Sequence, residues 1–129
     1  VSGGKTQKTF YKYEDVIDKT KAYRLQIPMF KLSEMYLIAA ETATVKSEQL
    51  AFLNTLRNNR GLANLAATVT VTTELTKEYK KEFIGEGQLF YYYKRNNTTS
   101  VPNGSATTNI SMSATQYVLP LPDSEINFQ

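Results

Sequence analysis

A chain of 129 residues with a hydrophobic fraction of 41% and a net charge of +3 is long enough to bury a core and too apolar to be disordered. It holds no cysteine and no histidine, which excludes disulfides, Cys/His zinc sites, cysteine nucleophiles and histidine-based triads, so neither a metal nor a cofactor is expected. The lysines are spread out, and where Lys77, Lys80 and Lys81 gather, glutamates interleave them; this reads as a solvated helix face, and no nucleic acid is expected as a partner.

Residues 1–22 read as a polar, irregular arm with room for one short strand and with an aromatic cluster at Phe10, Tyr11 and Tyr13. The start Val1-Ser2-Gly3-Gly4-Lys5-Thr6 carries neither a signal peptide nor a lipid-attachment cysteine, and reads as a cut inside a longer protein. No run approaches the ~20 apolar residues of a membrane-spanning helix. Residues 23–27 alternate with period two and stop at Pro28, predicting a short strand.

From Met29 the period becomes helical. Leu32, Met35, Tyr36, Ala39 and Ala43 share a face, and Leu37, Ile38 and Ala40 cover much of the rest, so this helix should pack on more than one side. Ser47 is the expected N-cap of a second helix, with Glu48 near its positive end. Leu50, Leu53 and Leu56 should point inward, and Gly61 suits the left-handed position past the helix end. The short connection predicts an antiparallel helix hairpin.

Residues 68–72 alternate threonine and valine and read as an extended piece. A long third helix is expected from about Thr73 to Arg95, with Leu75, Tyr79, Phe83 and Phe90 inward and Lys94 and Arg95 at its negative end. Gly85 and Gly87 lie inside that span, each costing a helix about 0.5–1 kcal/mol relative to alanine. They are expected to let another segment, such as 119–122, approach the helix backbone. Residues 96–113 read as a surface loop, and 117–122 as an edge strand or arm limited by Pro120 and Pro122.

Glu78, Glu82 and Glu86 form an acidic stripe at helical spacing, which basic groups should meet. Glu41 is positioned to pair with Arg57 or Arg60 across the hairpin, and Glu82 with the same arginines. The pairs Glu34/Glu41 and Glu82/Glu86 invite comparison with a glycosidase acid and base. Each pair lies along one helix without a cleft, so ion pairing is the favoured reading and no catalytic residue is expected. Tyr91, Tyr92 and Tyr93 are the ligand candidates, since consecutive residues point to different sides of a helix and aromatic faces stack on sugars. Sequons begin at Asn96, Asn97, Asn103 and Asn109, and would mark a glycosylated loop only in a secreted eukaryotic protein.

Motifs in order carry a family resemblance. Ile27-Pro28 leads into Lys31-Leu32-Ser33-Glu34-Met35-Tyr36-Leu37-Ile38-Ala39-Ala40-Glu41. Then come Leu53-Asn54-Thr55-Leu56-Arg57-Asn58-Asn59-Arg60-Gly61-Leu62 and Lys81-Glu82-Phe83 through Glu86-Gly87-Gln88 to Lys94-Arg95. The closing segment is Leu119-Pro120-Leu121-Pro122-Asp123-Ser124-Glu125-Ile126. Over residues 23–126 this resembles the SusD/RagB family of outer-membrane nutrient-binding lipoproteins. Leu89 stands where the family usually has a basic residue, Tyr92 where it has aspartate, and Lys31 where it has arginine.

The resemblance implies an all-α fold of tetratricopeptide-like helical hairpins, with short extended or edge-strand segments near residues 23–27 and 117–122. It implies one helical domain over 1–129, corresponding to the C-terminal part of a longer lipid-anchored precursor whose anchor is absent from this chain. It also implies non-enzymatic binding of an oligo- or polysaccharide at the cell outer membrane, with a TonB-dependent, SusC-like transporter as partner. The alternative function is a helical-repeat protein–protein interaction module that binds no sugar.

Overall fold

The structure, a computed structural model, describes residues 28–104 and 106–122 together with Lys12, Thr20 and Gln26. The rest of the 1–22 arm, the strand expected at 23–27 apart from Gln26, and the end of the closing motif from Asp123 lie outside the described residues. The fold is mostly α. Helices α1 (Leu32–Thr42), α2 (Lys46–Asn58), α3 (Val71–Phe83) and α4 (Gln88–Arg95) are followed by strands β1 (Ser100–Pro102) and β2 (Asn109–Ser111) and a 3₁₀ turn, Ala114–Tyr117. The chain divides into two compact units, Val1–Gly85 and Glu86–Gln129.

In the first unit α1 packs chiefly on α2, and α3 lies against both. Leu50, Leu53 and Leu56 of α2 point inward as predicted, and Leu75, Tyr79 and Phe83 of α3 are buried with them. On α1 the buried residues are Leu37 and Ala40, whereas Leu32, Met35 and Ile38 are exposed. A helix that is apolar nearly all round does not declare its core side through periodicity. The choice falls to α2 and α3, which dock on the Leu37/Ala40 side, where alanine permits close approach. Tyr36 and Phe52 meet across the hairpin with ring centroids 6.4 Å apart.

The helix ends show which local signals hold. Helix α2 begins one residue before Ser47, with extended Val45 as its N-cap and no side-chain cap. Its end matches expectation: Gly61 has φ 73°, the Leu62 amide donates to the Arg57 carbonyl at 3.0 Å and the Gly61 amide to Asn58 at 3.0 Å. This pair of bonds is a Schellman motif, which satisfies carbonyls the helix leaves open. Gln49 closes the end of α1 by donating from Nε2 to the Ala43 carbonyl at 2.9 Å. The extended piece predicted at 68–72 is instead a turn followed by the start of α3, whose N-cap is Thr70.

The long third helix is not continuous. Helix α3 stops at Phe83 and α4 starts at Gln88, and in the turn between them Gly85 and Gly87 take φ of 77° and 76°. A left-handed conformation costs a residue with a Cβ about 1–2 kcal/mol, so glycine serves there through its backbone freedom. The close-approach account does not hold at Gly87, where a Cβ would meet nothing within 4 Å. Gly87→Ala and Gly87→Leu are therefore expected to lose the same ~1 kcal/mol in a denaturant titration, with Gly87→Asn losing less. A loss growing with side-chain size would restore the packing explanation.

The second unit is held by α4 and the segment after it. Asn97, with φ 47°, stops α4 as Gly61 stops α2: the Thr98 amide donates to Tyr93 at 3.0 Å and the Asn97 amide to Lys94 at 3.1 Å. The segment predicted as loop at 96–113 contains an antiparallel hairpin pairing Ser100 with Ser111, Val101 with Ile110 and Pro102 with Asn109. Ser113 and Gln116 form a capping box for the 3₁₀ turn, which buries Tyr117. Beyond it Val118 is extended, but 118–122 form no strand.

Candidate functional site

The acidic stripe and the arginines form an ionic cluster inside the first unit. Glu78 is fully buried, because its helical neighbours Leu75, Tyr79 and Phe83 carry the inner face of α3 into the core. Its Oε1 accepts from Arg57 Nη1 at 3.0 Å and Lys81 Nζ at 2.8 Å, and its Oε2 from Arg60 Nη1 at 3.3 Å. Arg60 also bonds Glu82, which Lys31 approaches at 3.6 Å. Both oxygens of the buried carboxylate thus face cations, as a charge removed from water requires. Arg57 also donates from Nε to the Ala63 carbonyl at 3.1 Å, and Asn54 Oδ1 accepts from the Leu65 amide at 2.8 Å, which fixes the loop after α2.

Part of this was anticipated. The arginines do meet the stripe on α3, and Glu82 is one of their partners. They do not meet Glu41, which accepts from the Tyr79 hydroxyl at 3.0 Å, joining α1 to α3. Glu86 falls beyond the helix break and so leaves the stripe. The central role of Glu78 was missed, although its place between Leu75 and Tyr79 on an inward-facing stripe was a signal for it. Lys12 lies in the arm that sequence left irregular. Its Nζ donates to the Glu82 carbonyl and, at 3.5 Å, to that of Ile84, covering the negative end of α3.

These carboxylates are absorbed by cations and a phenol in a packed interior. Among the described residues, no group of three or more His, Cys, Asp or Glu is placed to hold a metal ion. The cluster's chemistry is positioning, since it ties α2, α3 and the start of α1 together.

The second constellation is on α4. Its three tyrosines divide as their spacing predicts: Tyr91 is 62% exposed, Tyr92 is buried and Tyr93 lies between. Tyr92 joins Val101 and Tyr117 in the core of the second unit, so the position that the family resemblance fills with aspartate is here an interior one. The Tyr117 hydroxyl donates to the Thr98 carbonyl at 2.6 Å, and the Tyr117 ring lies 5.6 Å from that of Phe90. Burial, followed by the neighbouring Tyr92 and Tyr117, pushes the Tyr93 phenol up.

Tyr91 is held by an edge contact with Phe90, at 5.6 Å and 82°. One helical turn to either side stand Gln88, Lys94 and Arg95, all exposed. The Arg95 guanidinium lies over the Tyr92 ring at 5.7 Å; an accessible ring with an amide and a lysine one turn away can stack on an apolar ligand face and bond to hydroxyls around it. Sequence reading found the ring and missed its flank, which the i−3 and i+3 spacing contains.

The model of the SusD family matches residues 2–129, and the chain belongs to that family. Members are in general nutrient-binding lipoproteins of the outer membrane that work with SusC-like transporters, and are not typically enzymes. No curated protein and no solved structure matches the chain. No helix among the described residues is long and apolar enough to cross a membrane.

Proposed function

We propose that this chain takes part, without catalysis, in capturing an oligo- or polysaccharide at the outer membrane for a TonB-dependent, SusC-like transporter. On this reading residues 1–129 are the C-terminal part of a lipid-anchored precursor, as the family motifs suggest. The observation that carries the proposal is the exposed Tyr91 ring beside Gln88 and Lys94 in a member of a nutrient-binding family. A pyranose ring presents an apolar face with hydroxyls at its edge, which suits such a platform. Tyr92 serves as packing, and Tyr93 serves from the half-buried side.

Affinity electrophoresis of the chain through gels containing single polysaccharides tests this. One gel should retard it, and Tyr91→Ala should weaken that retardation by up to about tenfold, the scale of ~1.4 kcal/mol, without changing the melting temperature. Equal retardation of Tyr91→Ala and the parent would remove the platform. The second reading, a protein-interaction module, draws on Met29, Phe30, Leu32, Met35 and Ile38, all exposed at or before α1. Failure of every polysaccharide, together with protein binding lost on Leu32→Glu, would favour it.

A further inference from the structure

We infer that Asn103 is a site of spontaneous covalent modification, where the side-chain amide converts to aspartyl and isoaspartyl forms through a cyclic imide. The reaction begins when the backbone nitrogen of the following residue, having lost its proton, attacks the side-chain carbonyl carbon. A nitrogen–Cγ bond forms, the Cγ–Nδ2 bond breaks, and the amide leaves as ammonia. Water then opens the ring at either carbonyl: at Cγ it gives aspartate, and at the α-carbonyl it gives isoaspartate, with the main chain rerouted through the side chain. The balance is one water in and one ammonia out, and no oxidant or enzyme is needed.

What selects Asn103 is the residue behind it and the space around it. Asn103 is followed by Gly104, whereas Asn54, Asn58, Asn59, Asn64, Asn96, Asn97, Asn109 and Asn127 are followed by residues with side chains that crowd the attacking nitrogen. Gly104 is exposed, and a Cβ there would meet nothing within 4 Å. The pair lies beyond the last ladder partners of the hairpin, Pro102 and Asn109, and the Asn103 amide closes the loop onto Thr108 at 3.3 Å. No hydrogen bond from the Gly104 amide ties it to the other described residues. The product places a new negative charge beside the hairpin, and the isoaspartyl form inserts a carbon into the backbone next to the Pro102–Asn109 pairing.

The experiment ages the intact chain at mildly alkaline pH and physiological temperature, then locates amide-to-acid conversion by peptide mapping and isoaspartate by specific methylation. Asn103 should convert first and dominate the isoaspartate signal. Gly104→Ala should slow its conversion severalfold; the open space and the absence of a left-handed φ at this position let alanine fit, and circular dichroism should confirm an unchanged fold. Conversion of another asparagine at an equal or greater rate, or an undiminished rate in Gly104→Ala, would overturn the assignment.

Discussion

Replacing Glu78 with alanine should lower the unfolding free energy by about 3 kcal/mol, and by more if the cavity does not collapse. The carboxylate is fully buried, while Arg57 and Arg60 keep side-chain exposures of 16% and 31%. Its removal leaves the half-buried Arg57 and the more exposed Arg60 with Glu82 as their one acidic partner among the described residues, and Glu82 bonds Arg60. Partial exposure of Arg60 lets water recover some of the loss, which is why the figure sits at the lower end of the range for broken buried pairs. Glu82→Ala should cost less, because Arg60 retains Glu78. Urea is the appropriate denaturant, since guanidinium chloride is a salt that screens the interaction being measured. A loss in Glu78→Ala below about 1 kcal/mol would mean that the cluster behaves like a surface pair.

Leu53→Ala should cost about 3 kcal/mol. Leu53 is fully buried between Leu50 and Leu56 on the inward face of α2, and Leu37 and Ala40 of α1 are fully buried as well. Truncation loses the transfer energy of the removed methyl groups and opens a cavity that helices pinned by the ionic cluster are poorly able to close. Ala51 is the control, being exposed on the same helix; Ala51→Ser should stay within about 0.5 kcal/mol of the parent. Urea midpoints give both values, and equal midpoints for the two variants would remove Leu53 from the core.

Much of the first unit was legible in the sequence because its signals are local and agree. Three leucines at helical spacing, a glycine three residues past the end of α2, and acids and bases in complementary places led to the hairpin and to part of the ionic cluster. The misreadings came where one composition serves two structures. Gly85 and Gly87 fit both a helix approached by another segment and two left-handed positions in a turn, and only φ separates these. Helix α1 is apolar nearly all round, so its buried face depends on partners that sequence does not specify. The β-hairpin was hidden in a stretch rich in Asn, Thr and Ser. Its strands are short, and Asn103-Gly104, a hairpin signal when flanked by alternating apolar residues, has Val101 and Ile110 as its nearest apolar support. At the candidate site the three tyrosines were legible as candidates, but which of them faces solvent depends on the burial of Tyr92 and Tyr117.

The connection Ala43–Val45 between α1 and α2 also bears on how the chain reaches its fold. Elements that pack together here are near neighbours in sequence, and the leading contact joins α1 to α2 across that connection. Closing a short loop costs little chain entropy, and contact order of this kind places helical proteins among the rapid folders. The first hairpin can thus assemble from its own residues as soon as they are available, with α3 adding to a surface already formed.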